Sequence, residues 1–301
     1  MANPERPARV PRRQIDGVLL LDKPVGLSSN AALQRAKRAL RAEKAGHTGT
    51  LDPLASGLLP LCFGDATKFA QSLLDARKTY VATLSFGTAT TTGDAEGEVC
   101  ETRPATFSTA DLAAVLRSFT GVIRQQPPRH AALKFEGRNY YEYARAGIEI
   151  PRPSREVTVD AVEMLDCTLP LARVRVSCSK GTYVRVLAED IGHAVGSCAH
   201  LAALRRTASG PFSIDDAIDL ATLEATDPAA LDSLLLPIDA PLRDMARLDL
   251  DEVAVTALMQ GRHPVVAPGL SGSFRCYGPA GFAGVAAAAS GVLRPVRLIR
   301  S

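Results

Sequence analysis

The chain contains no run approaching the ~20 consecutive apolar residues that a membrane-spanning helix requires. Its Pro- and Arg-rich start, Met1 to Gln14, has no apolar stretch of the kind a secretory signal carries, so a disordered arm is expected there. Six cysteines, at positions 62, 100, 167, 178, 198 and 276, include no Cys-x-x-Cys pair. Without a signal sequence they are expected to be reduced thiols in the cytoplasm. His193, Cys198 and His200 lie close in sequence, but their spacing matches no standard zinc pattern and no carboxylate supports them. They are assigned to packing and loops, and no metal is expected. No Gly-Lys-Ser/Thr follows any glycine cluster, which excludes a phosphate-binding P-loop. A dominant charge is also missing, since the net is only +3.

Dividing that charge along the chain changes its meaning. Residues 1–50 hold ten Lys/Arg against four Asp/Glu, and residues 121–155 hold seven against three. Residues 201–250 reverse the balance, with four against nine. Segregated positive charge suits a polyanion-binding face. For Arg35, Lys37, Arg38, Arg41 and Lys44, a solvated helix face is an equally good account. The 46% hydrophobic content supports a packed core, and 301 residues favour one large domain with a smaller one.

Periodicity supplies the elements. Val18 to Leu21 predicts a short buried strand before the turn at Lys23-Pro24. Ser29 or Asn30 is a candidate N-cap for a helix burying Leu33, Ala36 and Leu40, ending before Gly46. Val81 to Phe86 and Arg173 to Cys178 alternate at period two, as half-buried strands do. Ser108 to Asp111 opens a helix with Leu112, Val115, Leu116 and Phe119 inward, and Val184 to Val195 predicts another. Strands and helices mix without a regular βαβ period, which favours an α+β fold. Leu235 to Pro241 marks an exit from the first domain, and the Gly-, Ala- and Val-rich tail predicts a small β domain.

The most informative stretch is Gly46-His47-Thr48-Gly49-Thr50-Leu51-Asp52-Pro53-Leu54-Ala55-Ser56-Gly57-Leu58-Leu59-Pro60. One carboxylate, Asp52, sits among glycines, hydroxyls and a proline. Pro53 biases Asp52 away from helical geometry, and the glycines permit turns or close approach of a ligand. Taken alone, an Asp-Pro pair between glycines is more often an ordinary turn. Other motifs accompany it in order: Gly17 to Ser29, Lys78-Thr79-Tyr80, Gly87 to Gly97 with Asp94, Ala132-Leu133-Lys134, Tyr141 to Arg145, Cys178 to Arg185, Leu204-Arg205-Arg206 and Gly210-Pro211-Phe212.

From about Asp16 to about Pro241 this series closely resembles the TruB family of tRNA pseudouridine synthases. The resemblance implies a pseudouridine synthase fold over residues 15–245, with a mixed central sheet and a catalytic cleft. It implies an RNA-binding insertion at about 121–155 and a small PUA-like RNA-binding domain at 246–301. It further implies that Asp52 is the catalytic carboxylate, Arg185 its ion partner and Tyr80 a surface on which uracil stacks. Tyr183 and Leu204 would wall the pocket, His47 would help fill the space left by an extruded base, and Lys23 and Pro24 would support the loop. Arg129, Lys134, Arg138 and Tyr143 would contact RNA through phosphates and bases. The implied reaction is isomerisation of uridine 55 in the T-loop of tRNA, without cofactor or guide RNA, by a cytoplasmic monomer. His130-Ala131 departs from the family's usual Tyr-Ser, which puts one RNA contact in doubt. Other readings are a guide-directed synthase, a T-loop binder that only assists RNA folding, and a glycosidase. The last would need a second acid that no motif offers.

Overall fold

The computed structural model describes residues 11–131 and 133–299. Most of the expected N-terminal arm and Ala132 fall outside those residues. Eight strands form the path of the large sheet: β1 (Gly17–Lys23), β2 (Ala55–Phe63), β3 (Lys78–Phe86), β4 (Gly121–Gln125), β5 (Arg155–Thr168), β6 (Leu171–Cys178), β7 (Ala199–Ser209) and β8 (Ile218–Asp219). Their spatial order is β8-β1-β2-β7-β3-β6-β5-β4, with two short strands, Ala45–His47 and Phe212–Ser213, pairing off the path. The β1–β8 and β2–β7 pairs are parallel and the remaining pairs on the path antiparallel, so the sheet is mixed.

Helices cover it where the sequence supplies caps and apolar faces. α1 (Ser29–Ala39) starts at Ser28, whose side chain accepts from the Ala31 N–H, one residue before the expected cap. Its Leu33, Ala36 and the following Leu40 join Leu19, Leu21, Leu59, Leu61 and Phe63 in one core cluster. α2 (Ala70–Asp75) is short, and α3 (Thr109–Ser118) opens with a reciprocal capping box between Ser108 and Asp111. α4 (Tyr140–Arg145) lies in the insertion. α5 (Val184–Ala194) buries Val184, Leu187, Ala188 and Ile191 against β3, β6 and β7 in the other large cluster. α6 (Leu220–Ala225) packs beside α1.

The expected insertion segment is tied to the sheet at both ends, because Gly121–Gln125 is itself β4 and Arg155 opens β5. Beyond Pro241 a second, four-stranded sheet forms from β9 (Arg247–Asp249), β10 (Gly272–Gly278), β11 (Gly281–Ala289) and β12 (Val292–Leu298). α7 (Glu252–Met259) packs on it, with Leu258 among Phe274, Cys276, Ala286, Ala288 and Leu293. All six cysteines are free, and Cys198 is buried. His200 is near the Thr88 carbonyl, its Nδ1 lying 3.0 Å from that oxygen.

Candidate active site

The loop between the short Ala45–His47 strand and β2 is held by contacts its own sequence provides. Thr48 donates to the Pro60 carbonyl through both its N–H (3.2 Å) and its hydroxyl (3.1 Å). Ser29, the first residue of α1, accepts from the Leu51 N–H at 2.7 Å and donates to the Leu51 carbonyl at 3.0 Å. The Gly26 N–H donates to the Pro53 carbonyl (2.8 Å), which ties the Lys-Pro turn to the loop. Gly49 takes a φ of +106°, a conformation that side-chain-bearing residues rarely adopt. Asp52 is therefore presented on a loop pinned from three sides.

Arg185, near the start of α5, faces it. Its Nη2 lies 3.0 Å from Asp52 Oδ2, and its Nη1 lies 3.3 Å from Asp94 Oδ2. The two carboxylates sit in different environments. Asp94 has a side chain only 4% exposed, against 45% for Asp52. Asp94 Oδ1 also accepts from the Thr92 hydroxyl (2.6 Å) and the Glu96 N–H (3.1 Å). Carbonyls of Thr92 and His130 accept further bonds from Arg185, each at 3.3 Å. The guanidinium is thus anchored from the buried side by Asp94 while its other edge meets the accessible Asp52.

Asp52 and Arg185 open onto a cleft of about 410 Å³ that Tyr80, Leu133, Tyr183, Leu204 and Arg206 also line. Five residues expected at the site, Asp52, Tyr80, Tyr183, Arg185 and Leu204, are therefore brought together. Burial pushes the Tyr80 phenol up from its ordinary value, opposed by the nearby positive charge of Arg206. Tyr183 is clamped through its backbone, since its N–H donates to Gln125 Oε1 (3.0 Å) and its carbonyl accepts from Gln125 Nε2 (3.2 Å). The Arg155 guanidinium stacks on the Tyr183 ring at 4.9 Å.

The other expected residues lie outside this lining. Lys23 is fully buried, and its Nζ donates to the carbonyls of Pro24 (2.8 Å) and Leu27 (2.6 Å). Desolvation brings its ammonium down to about 8, although the negative charge of Asp52 opposes the fall. His47 is half-buried, and its buried Nδ1 has no hydrogen-bond partner among the described residues. Burial, reinforced by Arg206, lowers its affinity for a proton. In the insertion, Arg129 pairs with Glu149 (2.6 Å) and Arg138 with Glu142 (3.7 Å), while Lys134 is exposed. Tyr143 is buried, with its hydroxyl donating to the Phe135 carbonyl at 3.1 Å, so it packs beneath the insertion.

Arg206 is the residue to which sequence reasoning gave no role. Its side chain is fully buried and has no carboxylate within 4.0 Å among the described residues. Nε donates to the Leu58 carbonyl (2.6 Å) and Nη2 to the Gly49 carbonyl (3.3 Å). It stands directly opposite Tyr80 across the β7–β3 pair and opposite Gly57 across β7–β2. One side chain thus links the Asp52 loop, the middle of the sheet and the Tyr80 phenol. Strand alternation carried a signal for this, because the adjacent Arg205 points to the other face and pairs with Asp22 at 2.7 Å.

Comparison with known proteins places this geometry. The N-terminal domain of TruB family pseudouridylate synthases matches residues 37–184, and the tRNA pseudouridylate synthase B C-terminal domain matches residues 185–243. A Cbf5-Nop10-Gar1 complex aligns with a TM-score of 0.70 and 26% identity, over 93% of this chain and 83% of that one. An archaeal box H/ACA sRNP Nop10-Cbf5 complex gives 0.69 at 24% identity, over 94% and 85%, and so speaks for the fold alone. Fold and family match together define a pseudouridine synthase, an isomerase. Similarity to curated proteins is higher. The tRNA pseudouridine synthase B of Cupriavidus pinatubonensis is 54% identical over 98% of each chain. That of Thiobacillus denitrificans is 54% identical over 96% of this chain and 97% of its own. The chain belongs to the TruB family of pseudouridylate synthases.

Proposed function

We propose that this enzyme converts uridine 55 in the T-loop of tRNA to pseudouridine, with Asp52 as the catalytic carboxylate. The observation that carries the reading is the Asp94–Arg185–Asp52 arrangement at the edge of a cleft lined by Tyr80. The naming of its full-length relatives as tRNA pseudouridine synthase B supports tRNA as the substrate. The reaction breaks the C1′–N1 bond, turns the uracil, forms a C1′–C5 bond and moves the C5 proton to N1 or solvent. It is an isomerisation, so the atoms balance without redox or an energy source.

Each step finds a group here. An anionic Asp52 serves either attack on the sugar or base, or removal of a ribose proton. Arg185 orients that carboxylate, while Asp94 holds Arg185 in place. Tyr80 stacks on the freed uracil, an interaction worth roughly 1–3 kcal/mol per base. Its hydroxyl assists proton transfer at C5 as a relay, passing its own proton on as its oxygen receives the one from C5. Tyr183 and Leu204 wall the pocket. A base in a folded loop reaches Asp52 only by extrusion, and His47 helps fill the space it leaves. Opening the T-loop in this way also lets the protein assist tRNA folding.

Lys134, Arg129 and Arg138 on the insertion meet RNA phosphates, with Tyr143 as their support. The sheet at 247–298 acts as a PUA-like RNA-binding domain, appended to a catalytic domain over 15–245. The protein works as a cytoplasmic monomer. The self-contained insertion and the far higher identity to tRNA pseudouridine synthase B than to the Cbf5 complexes favour a synthase without guide RNA. Mapping the product by carbodiimide labelling and primer extension on an unmodified tRNA transcript tests the reading. A single new stop at position 55 is expected, and pseudouridine only elsewhere would refute the assignment.

A further inference from the structure

The far end of α1 carries a basic recess that the catalytic cleft does not use. Arg12, Gln34, Lys37, Arg38, Arg41 and Ala42 line a space of about 340 Å³. Its four cations come from two separate stretches of chain, which backbone bonds hold together. The Arg13 N–H donates to the Arg41 carbonyl (2.7 Å), and the Glu43 N–H donates to the Arg13 carbonyl (2.9 Å). Arg41 Nη2 donates to the Pro11 carbonyl at 2.9 Å. Arg41 itself has a φ of +52°, in the left-handed region that few non-glycine residues enter. The recess is thus assembled by specific contacts rather than by the helix surface alone.

Charge accounting separates these four side chains from their neighbours. Arg13 is paired with Asp232 and Arg35 with Glu224. None of Arg12, Lys37, Arg38 and Arg41 has a carboxylate within 4.0 Å among the described residues. Glu224 acts on Arg38 from a distance but is already bonded to Arg35. Favourable interaction with the helix C-terminus accounts for Lys37 and Arg38, which lie in the last turn. It does not account for Arg12 or Arg41, which lie outside the helix. Like charges gathered in one recess repel unless an anion joins them.

We propose that this recess binds the phosphate backbone of tRNA at a point outside the T-arm. This rests on the reading that the T-loop is delivered to Asp52. Ser29, at the start of α1, bonds Leu51 beside Asp52, and the recess lies at the other end of this 11-residue helix. At 1.5 Å per residue the helix itself spans about 16 Å. That is beyond a flipped nucleotide and its immediate neighbours, yet close enough for another part of the same folded RNA. The lining contains no aromatic ring to stack on a base, so the contact reads phosphate charge and not sequence.

The test compares wild-type protein with an Arg12→Gln/Lys37→Gln/Arg38→Gln variant, none of whose positions touches the catalytic cleft. Kd is measured against salt for an unmodified whole tRNA and for an isolated T-arm hairpin. Single-turnover rates are taken at saturation, and circular dichroism checks the fold. Whole-tRNA Kd should rise at least tenfold and its salt slope should become shallower by about 2. Hairpin affinity and both saturated rates should stay within twofold of wild type. Unchanged whole-tRNA binding, or equal weakening for both RNAs, would overturn the proposal. If wild-type protein formed no pseudouridine on either RNA, the T-loop reading would fail instead, while the binding comparison would still decide the recess.

Discussion

Arg185 holds two carboxylates with opposite degrees of burial, and this asymmetry organises the site. Asp94 is enclosed, bonded by Thr92 and the Glu96 N–H, and paired with Arg185 on the buried side of the guanidinium. Asp52 is nearly half exposed and meets the guanidinium from the cleft side. Removing one partner of a buried ion pair costs ~3–5 kcal/mol because the other charge is left uncompensated. In Asp94→Asn, Arg185 keeps Asp52 but loses its buried anchor, so the lower end of that range, about 3 kcal/mol, is expected in urea denaturation. Single-turnover rate should fall at least tenfold while tRNA Kd changes less than threefold. A wild-type rate in Asp94→Asn would mean that Arg185 is positioned by its backbone contacts alone. Arg206 works differently, as a buried cation whose hydrogen-bond partners are carbonyls. Its influence reaches Lys23, His47, Lys78 and Tyr80, each of whose proton affinities it depresses.

The strands carry these side chains into register. Gly57 on β2 lies between Lys23 on β1 and Arg206 on β7. Its φ is +102°, and an added Cβ would sit 2.3 Å from the Arg206 carbonyl oxygen and 2.7 Å from the Arg206 nitrogen. Gly57→Ala should therefore lower the thermal midpoint sharply, by an amount equivalent to roughly 3 kcal/mol. An unshifted midpoint would show that the sheet gives way at little cost. Much of this element structure was legible in the sequence. Period-two alternation located the strands at 81–86 and 173–178, and Ser108 to Asp111 marked the opening of α3, where the structure adds a capping box. The Asp52 motif and its order relative to Tyr80 and Arg185 located the cleft. Gln125 was not legible, and for Arg206 strand alternation marked only which face it takes, because the importance of both lies in pairings between distant segments. Tyr143 illustrates the converse. A tyrosine among arginines suggests an exposed stacking platform, but its α4 face turns inward and its hydroxyl is engaged. Composition does not distinguish those two fates.

For the molecule as a whole, a near-neutral sum conceals a directed arrangement. The net charge of +3 arises from basic segments at 1–50 and 121–155 set against an acidic stretch at 201–250. In the fold, part of that acidic stretch is spent on the basic one, through Arg13 with Asp232 and Arg35 with Glu224. Among the described residues, Lys134 on the insertion and the cations of the recess at the end of α1 keep no such partner, and it is there that RNA is proposed to approach. The mixed sheet carries the Asp52 loop to the cleft, with Asp52 open to it and Arg185 behind. The claim that this carboxylate drives uridine isomerisation has a direct measurement: tritium release from C5-labelled uridine in unmodified tRNA, by wild-type protein and by Asp52→Asn at matched saturation. Release by wild type and none above background by Asp52→Asn, with tRNA affinity kept within a few-fold, is the predicted result. Comparable release from both proteins would contradict the account.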